Sequence, residues 1–378
     1  MVLGEAFHRR TTKDVAARLD VLEKAAVLIF DPDNVRYLTG LAVRPTDRPL
    51  AACVWADGRT ALFVPHLEAE HLASGWVRDI RWYAEYPAEE APVRWMAREA
   101  GSPLLVDSLG ADAWTQLQAE VADVALLDPV RELRQVKTPA EIDLIERAAD
   151  YADLALERTY ARLTTGSAER EVLAEILTVV DGMMRAELGD LYDDPGPGIT
   201  GSLQSGTRAA LPHAPTSARR LTRGDSVVTE FVTNVGGYHA RAGATFFVGD
   251  PLRDVVRWVE AAMVAQDAAR AAMTPGMPAE GVDQAARKVF DRLGLISNVR
   301  HRTGEGIGLA RCEAPWLTRS QQTPLQVGMV LANRPGIFVP GRTGTRNSET
   351  VVVEAEGPRV LNPRLDRWSN VEARLKEF

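Results

Sequence analysis

Four residues, Thr138, Pro139, Ala140 and Glu141, divide this chain into two differently patterned parts. A Thr followed three residues later by Glu is the signature of a capping box, and proline is pre-set for the first helical position. The spacing predicts a long amphipathic helix over 139–163. Upstream, over 21–129, short apolar runs (AAVLIF, LAACVW, TALFVP, PLLVDS, VALLDP) alternate with helical periodicity, the pattern of an α/β domain with a covered sheet. A turn is expected at Asp31-Pro32 and a hairpin at Asp57-Gly58. Downstream come a helix over 168–188, a loop DDPGPGITGS, and strands in LQSGTRAALPHAP and DSVVTEFVTNVGGYHARAGATFFVGDP. Helices over 252–273 and 279–293 and strands near GIGLARCEAPWL, GMVLANRPGIFVP and SETVVVEAEGPRVL complete the order, which hints at an internal duplication. With 378 residues, more than one compact core usually fills, two domains are expected, 1–128 and 129–378.

Composition narrows the function classes. A net charge of −8 argues against a polyanionic partner, whose binding relies on clustered Lys and Arg, so nucleic acid is not expected. The longest apolar runs, such as 25–30, are far too short to cross a bilayer, so no membrane partner is expected either. The N-terminal segment has neither a long apolar stretch nor a small-residue cleavage site. The two cysteines, Cys53 and Cys312, form no CxxC pair and fit a reducing compartment. A cytoplasmic location is expected.

Five phrases, RELRQVKTPAEIDLIERAA, SGTRAALPH, LTRGDSVV with GGYHARAGATFFVG, TGEGIGLARCEAPWL, and GMVLANRPGIF with GTRNSETVVV, stand in the order found in one family. They cover roughly 129–360. The chain thereby resembles the creatinase/prolidase family, whose pita-bread fold is shared with Xaa-Pro and methionine aminopeptidases. DPDNVRYLTG and the domain around it resemble the family's N-terminal domain. The resemblance implies an α/β creatinase-like N-terminal domain followed by a duplicated α+β pita-bread domain.

The family's peptidases hold two metal ions with two Asp, a His and two Glu. Residue by residue, those positions are Glu230, Arg241, Glu305, Arg334 and Ser348 here. Two carboxylates, two guanidinia and a hydroxyl are formally neutral. An Arg has no lone pair to offer and stays protonated. A divalent ion about 4 Å from one guanidinium is repelled by roughly 8 kcal/mol at an effective dielectric of about 20. The expectation is that no metal and no other cofactor is used.

For the two arginines, two readings stand. If the first long hairpin turns between Val235 and Gly236, Glu230 and Arg241 lie directly opposite one another as a cross-strand ion pair, and Arg334 pairs with Glu305 or Glu313. Alternatively, Arg241 and Arg334 grip a substrate carboxylate. His213 in ALPHAP matches a substrate-side His of the family, and imidazole suits proton transfer near neutral pH. Glu230, Glu305 and Glu313 are the other candidate catalytic groups. Arg48, with Arg44 as alternative, resembles the N-terminal-domain Arg through which creatinase binds its substrate carboxylate from the partner subunit. His239 shares a strand face with Arg241, and Ser348 completes the candidate binding set. His301 and Cys312 are weaker candidates. The expected function is metal-independent cleavage of a C–N bond, by hydrolysis first, in a small carboxylate-bearing molecule, in the manner of creatinase or ectoine hydrolase. A homodimer is implied by the resemblance. The alternative is a catalytically inert pita-bread protein that binds a small molecule or peptide.

Overall fold

A computed structural model describes residues 2–87, 90–192 and 196–376. The chain divides into two compact units, Met1–Arg134 and Gln135–Phe378.

The first unit is built on six strands: β1 (Ala26–Ile29), β2 (Ala51–Trp55), β3 (Thr60–Pro65), β4 (Asp79–Tyr83), β5 (Leu104–Val106) and β6 (Val124–Leu126). They form one mixed sheet in the order β4-β3-β2-β1-β5-β6. The five apolar runs that read as strands are β1, β2, β3, β5 and β6, whereas β4, DIRWY, lies in none of them, and β1 and β2 are buried along their whole length. Helices α1 (Gly4–Val21), α2 (Pro32–Thr39), α3 (His66–Leu72), α4 (Pro92–Ala100), α5 (Ala111–Gln118) and the short α6 (Arg131–Gln135) accompany them. Asp31-Pro32, expected as a turn, is instead the start of α2. The Asp31 carboxylate accepts from the Asn34 amide at 3.0 Å and Pro32 takes the first helical position.

The second unit opens with α7 (Pro139–Arg162) and α8 (Glu169–Leu188). At the start of α7 the Glu141 carboxylate accepts from the Thr138 amide at 2.7 Å and from its hydroxyl at 2.8 Å. Its other oxygen accepts from the Tyr238 hydroxyl at 2.9 Å, so the capping residue also ties the helix to the sheet. Buried Leu144, Ile145, Ala148, Ala152 and Ala155 form one face of α7. The small alanines let backbones approach: the Thr233 hydroxyl donates to the Ala148 carbonyl at 2.6 Å.

Next come β7 (Ile199–Ser205), β8 (Ser226–Val235) and β9 (Tyr238–Val248). In the stretch expected as a loop, residues 193–195 lie outside the described residues, while Ile199 onward already belongs to β7. The expected strand over 203–215 ends at Ser205, because Gly206 adopts a φ of 55° and starts a 3₁₀ turn, Gly206–Ala210. Helices α9 (Arg253–Ala271) and α10 (Ala279–Arg292) pack together. They cover β10 (Gly304–Gly306), β11 (Glu313–Leu317), β12 (Val330–Asn333), β13 (Gly336–Val339), β14 (Thr343–Arg346), β15 (Glu349–Glu354) and β16 (Gly357–Val360). The closing β17 (Leu375–Lys376) adds parallel to β9. Two larger sheets result, β17-β9-β8-β7 and β11-β10-β12-β15-β16, with β13-β14 paired separately. A bridge between Gly243 and Ser348 joins β9 to the chain entering β15. Each half lays a helix pair on a mainly antiparallel sheet, the arrangement the repeated element order suggested.

Candidate active site

Glu230 on β8, Arg241 on β9, Glu305 on β10, Arg334 just after β12 and Ser348 just before β15 meet at the junction of the two sheets. The hairpin carrying the first two turns one residue later than expected, which moves each cross-strand partner by two residues. Val235 faces Tyr238, so the loop is Gly236-Gly237, and both glycines have positive φ, 59° and 89°. A two-residue turn with positive φ at both positions demands this placement. Glu230 therefore stands opposite Gly243, and Arg241 opposite Val232. Glu230 and Arg241 are diagonal neighbours on one face, and their ion pair forms nonetheless at 3.3 Å.

Two arginines beyond Arg241 and Arg334 complete the cluster. Arg346, 5% exposed at the end of β14, reaches Glu230 at 3.1 Å. Arg302 bonds Glu305 at 2.8 Å and lies over the Trp316 ring. Neither was picked out from sequence, although Arg346 stands two residues before Ser348, and alternation would have put both on one face. Arg334 pairs with Glu305 at 2.8 Å, not with Glu313, and lies 3.8 Å from Glu230. Arg241 lies 3.8 Å from Glu305 and donates to the Arg311 carbonyl at 3.0 Å and to Cys312 Sγ at 3.1 Å. Ser348 Oγ donates to Glu230 at 2.5 Å.

The electrostatics follow from this crowding. Burial alone would raise the Glu230 carboxyl. The guanidinia of Arg346, Arg241 and Arg334 and the Ser348 hydroxyl outweigh it and hold Glu230 well below the usual carboxylate range. Glu305 is depressed in the same way: burial opposes, but Arg334, Arg241 and the Arg302 bond prevail. Burial pushes the Cys312 thiol up, away from a reactive thiolate. His301 is driven down to about 4 by burial and is neutral, its Nδ1 bonded to the Arg302 carbonyl at 2.6 Å.

The remaining sequence candidates are not drawn into the cluster. His213 is exposed in the turn after Gly206–Ala210, and among the described residues no hydrogen bond or ion pair connects it to the charged groups. His239 bonds the Gly308 carbonyl through Nδ1 at 3.1 Å. Glu313 is held by Lys137 Nζ at 2.6 Å in a buried pair that sequence reading did not foresee. Arg48 belongs to the first unit. There it pairs with Asp47 at 3.3 Å and, with Arg44, lines a cavity of about 670 Å³.

Fold and site together define a two-part protein of the creatinase and prolidase type, and the comparisons state the family. Residues 12–136 match the creatinase/prolidase N-terminal domain, and residues 143–355 match metallopeptidase family M24. The chain belongs to that family. It is 32% identical to a probable dipeptidase PepE of Mycobacterium bovis over 381 residues, covering 95% of each chain. The crystal structure of dipeptidase PepE from Mycobacterium ulcerans superposes with a TM-score of 0.84 at 30% identity, covering 95% of this chain and 96% of that one. Prolidase from Pyrococcus furiosus does so with a TM-score of 0.81 at 27% identity, over 92% and 98%.

These relatives correct the functional expectation. These relatives are named as dipeptidases and prolidases, and the matching family model is a metallopeptidase family, which points to metallopeptidase activity and away from metal-independent C–N cleavage of the creatinase kind. The family implies a metal centre, and the donor set can be tested for it. Among the described residues, no group of three or more His, Cys, Asp or Glu is placed to hold an ion. The two carboxylates at the family's positions are already bound by guanidinia at 2.8–3.3 Å. A divalent ion needs several free carboxylate or imidazole donors, and arginine supplies none. The residues present do not fit the metal pair.

Proposed function

We propose that this protein recognises a dipeptide-sized molecule bearing an anionic group at the cationic cluster around Glu230 and Glu305. The size class comes from the relatives, named for dipeptides and Xaa-Pro dipeptides. The anionic preference rests on one observation: four guanidinia, Arg241, Arg302, Arg334 and Arg346, surround two carboxylates. That leaves an excess of positive charge at a site largely removed from water, where Coulombic attraction is strong. Arg302 and Arg334 keep part of their side chains accessible, 34% and 16%, so both have an edge to offer a ligand carboxylate after binding Glu305.

Isothermal titration with acidic, neutral and basic dipeptides tests this. Acidic dipeptides are expected to bind at least tenfold more tightly than basic ones, with affinity falling as salt rises and falling again in Arg334→Gln and Arg302→Gln. Equal binding across the three classes, or none, overturns the reading. The same peptides incubated with and without added manganese or cobalt address the family's chemistry, since metal-stimulated hydrolysis would refute the donor-set argument. A homodimer belongs to this reading through the resemblance to creatinase, and a monomer in analytical ultracentrifugation would remove it; the cytoplasmic location rests on the two cysteines, which form no CxxC pair.

A further inference from the structure

Two neighbouring strands of the first unit send the chain to opposite faces of its sheet. β1 and β5 lie side by side and parallel. Beyond β1 the chain enters α2, and beyond β5 it enters α5. Helices α4 and α5 cover the face that carries Ala26, Leu28, Leu104 and Val106. Helices α1 and α2 pack on each other and on β2 through residues outside that cluster, so they cover the other face. Where such connections diverge, a crevice opens at the carboxyl ends of the strands, the usual place for a ligand in an open α/β sheet.

The cavity of about 670 Å³ lies there, with Phe30 from the end of β1 and Ser108 and Leu109 from the end of β5 in its wall. The two strand ends are clamped together. The buried Asp107 carboxylate accepts from the amides of Phe30 at 2.7 Å, Asp31 at 3.1 Å and Ser108 at 2.6 Å, and from Asn34 Nδ2 at 2.9 Å. The segment between α2 and β2, which supplies Val43 to Leu50, is held by Tyr83, whose hydroxyl donates to the Pro49 carbonyl at 2.9 Å. Val43, Leu50, Val93 and Leu109 give the wall an apolar character. A pre-formed, largely apolar pocket within about 300–1,000 Å³ is of the size that encloses a small molecule.

Four charged side chains line it, two of each sign: Arg44, Arg48, Asp47 and Asp112. Arg48 and Asp47 are paired at 3.3 Å. Arg44 and Asp112 remain, both exposed and, among the described residues, without an ion pair. They stand on different elements, Arg44 between α2 and β2 and Asp112 in the first turn of α5. The lining is neutral overall and favours neither an anion nor a cation; a molecule with one charge of each sign and an apolar body matches it. We propose that this cavity binds an apolar zwitterion of the size of a di- or tripeptide, its carboxylate on Arg44 and its ammonium on Asp112. Ser108 and Gln116 offer uncharged donors and acceptors to the amide between the two ends. The site is separate from the cluster around Glu230 and Glu305, whose excess positive charge selects an acidic ligand, and does not depend on that reading.

Methyl NMR of the full chain, labelled at Leu and Val and kept in EDTA, tests this by following Val43, Leu50, Val93 and Leu109. The probes are the dipeptide Leu-Phe, its N-acetyl form, which lacks the ammonium, and its C-terminal amide, which lacks the carboxylate. Saturable shifts of these methyls are expected with Leu-Phe, and about tenfold weaker binding with each capped form, the loss of one charge-assisted contact. Arg44→Gln should weaken Leu-Phe to the level of the amide while leaving the amide unaffected. Asp112→Asn should do the same against the N-acetyl form. Both side chains are exposed, so neither variant should disturb folding. Shifts that do not saturate or that miss these four residues, equal affinity for free and capped peptides, or variants that change none of the affinities or lower free and capped forms alike overturn the proposal.

Discussion

Replacing Glu230 by Gln isolates what holds the charged cluster together. The substitution keeps the volume and leaves an oxygen for Ser348 Oγ, but removes the charge facing Arg346 at 3.1 Å, Arg241 at 3.3 Å and Arg334 at 3.8 Å. Each contact carries about 5 kcal/mol of gross Coulombic energy at an effective dielectric of about 20. Most of that offsets the cost of taking the ions out of water. What remains is the penalty for stranding buried cations, about 3–5 kcal/mol. Urea denaturation of Glu230→Gln near neutral pH is expected to show a loss of that size. Glu230→Gln/Arg346→Met, which removes a stranded cation too, is expected to recover at least about 2 kcal/mol. The pH dependence has a fixed sign. The folded-state pKa of Glu230 lies below its ordinary 4.5, so its stabilisation is complete above that value and lost as pH falls through the folded pKa. The deficit should be flat from about pH 6 to about pH 8 and shrink in acid. A loss under about 1 kcal/mol, or strict additivity in the double variant, would refute the account of a mutually dependent buried network.

Three further outcomes are expected. Lys137→Met removes the cation that binds Glu313 in a pair whose side chains are only 1% and 8% exposed, and should destabilise the protein by about 1–3 kcal/mol in urea melts; an effect within about 0.5 kcal/mol would mean that the pair is not formed. Asp153 is raised by burial to about 7 despite its bonds from Asn362 and the Arg364 amide. Its folded pKa lies above its unfolded 3.8, so its contribution is full at low pH and is lost as pH rises through about 7, a swing of about 4 kcal/mol, read from ¹³C carboxyl titration and stability curves. Protein purified from medium with manganese, cobalt and zinc should carry less than one metal per chain and keep its Tm in excess EDTA, whereas stoichiometric metal by elemental analysis would contradict the donor-set argument.

The element order of both units, the hairpin at Asp57-Gly58 and the two opposed charges at Glu230 and Arg241 are legible from residue patterns, because apolar periodicity, turn chemistry and capping are local properties. The register of the long hairpin was also within reach, since two consecutive glycines ask for the positive-φ pair of a two-residue turn. Other features arise only where segments distant in the chain close on one another. Arg346 joins Glu230 across more than a hundred residues. Lys137 reaches Glu313 at a separation of 176. Arg374 becomes a buried cation bonded to the Asn347 and Trp368 oxygens, with no ion pair among the described residues, because the C-terminal segment docks beside Asn347. Residue identity settled which positions could no longer ligate a metal, since a guanidinium has no lone pair wherever it sits. Which carboxylate each guanidinium neutralises depends on distances of a few ångströms that only the packing of two sheets creates.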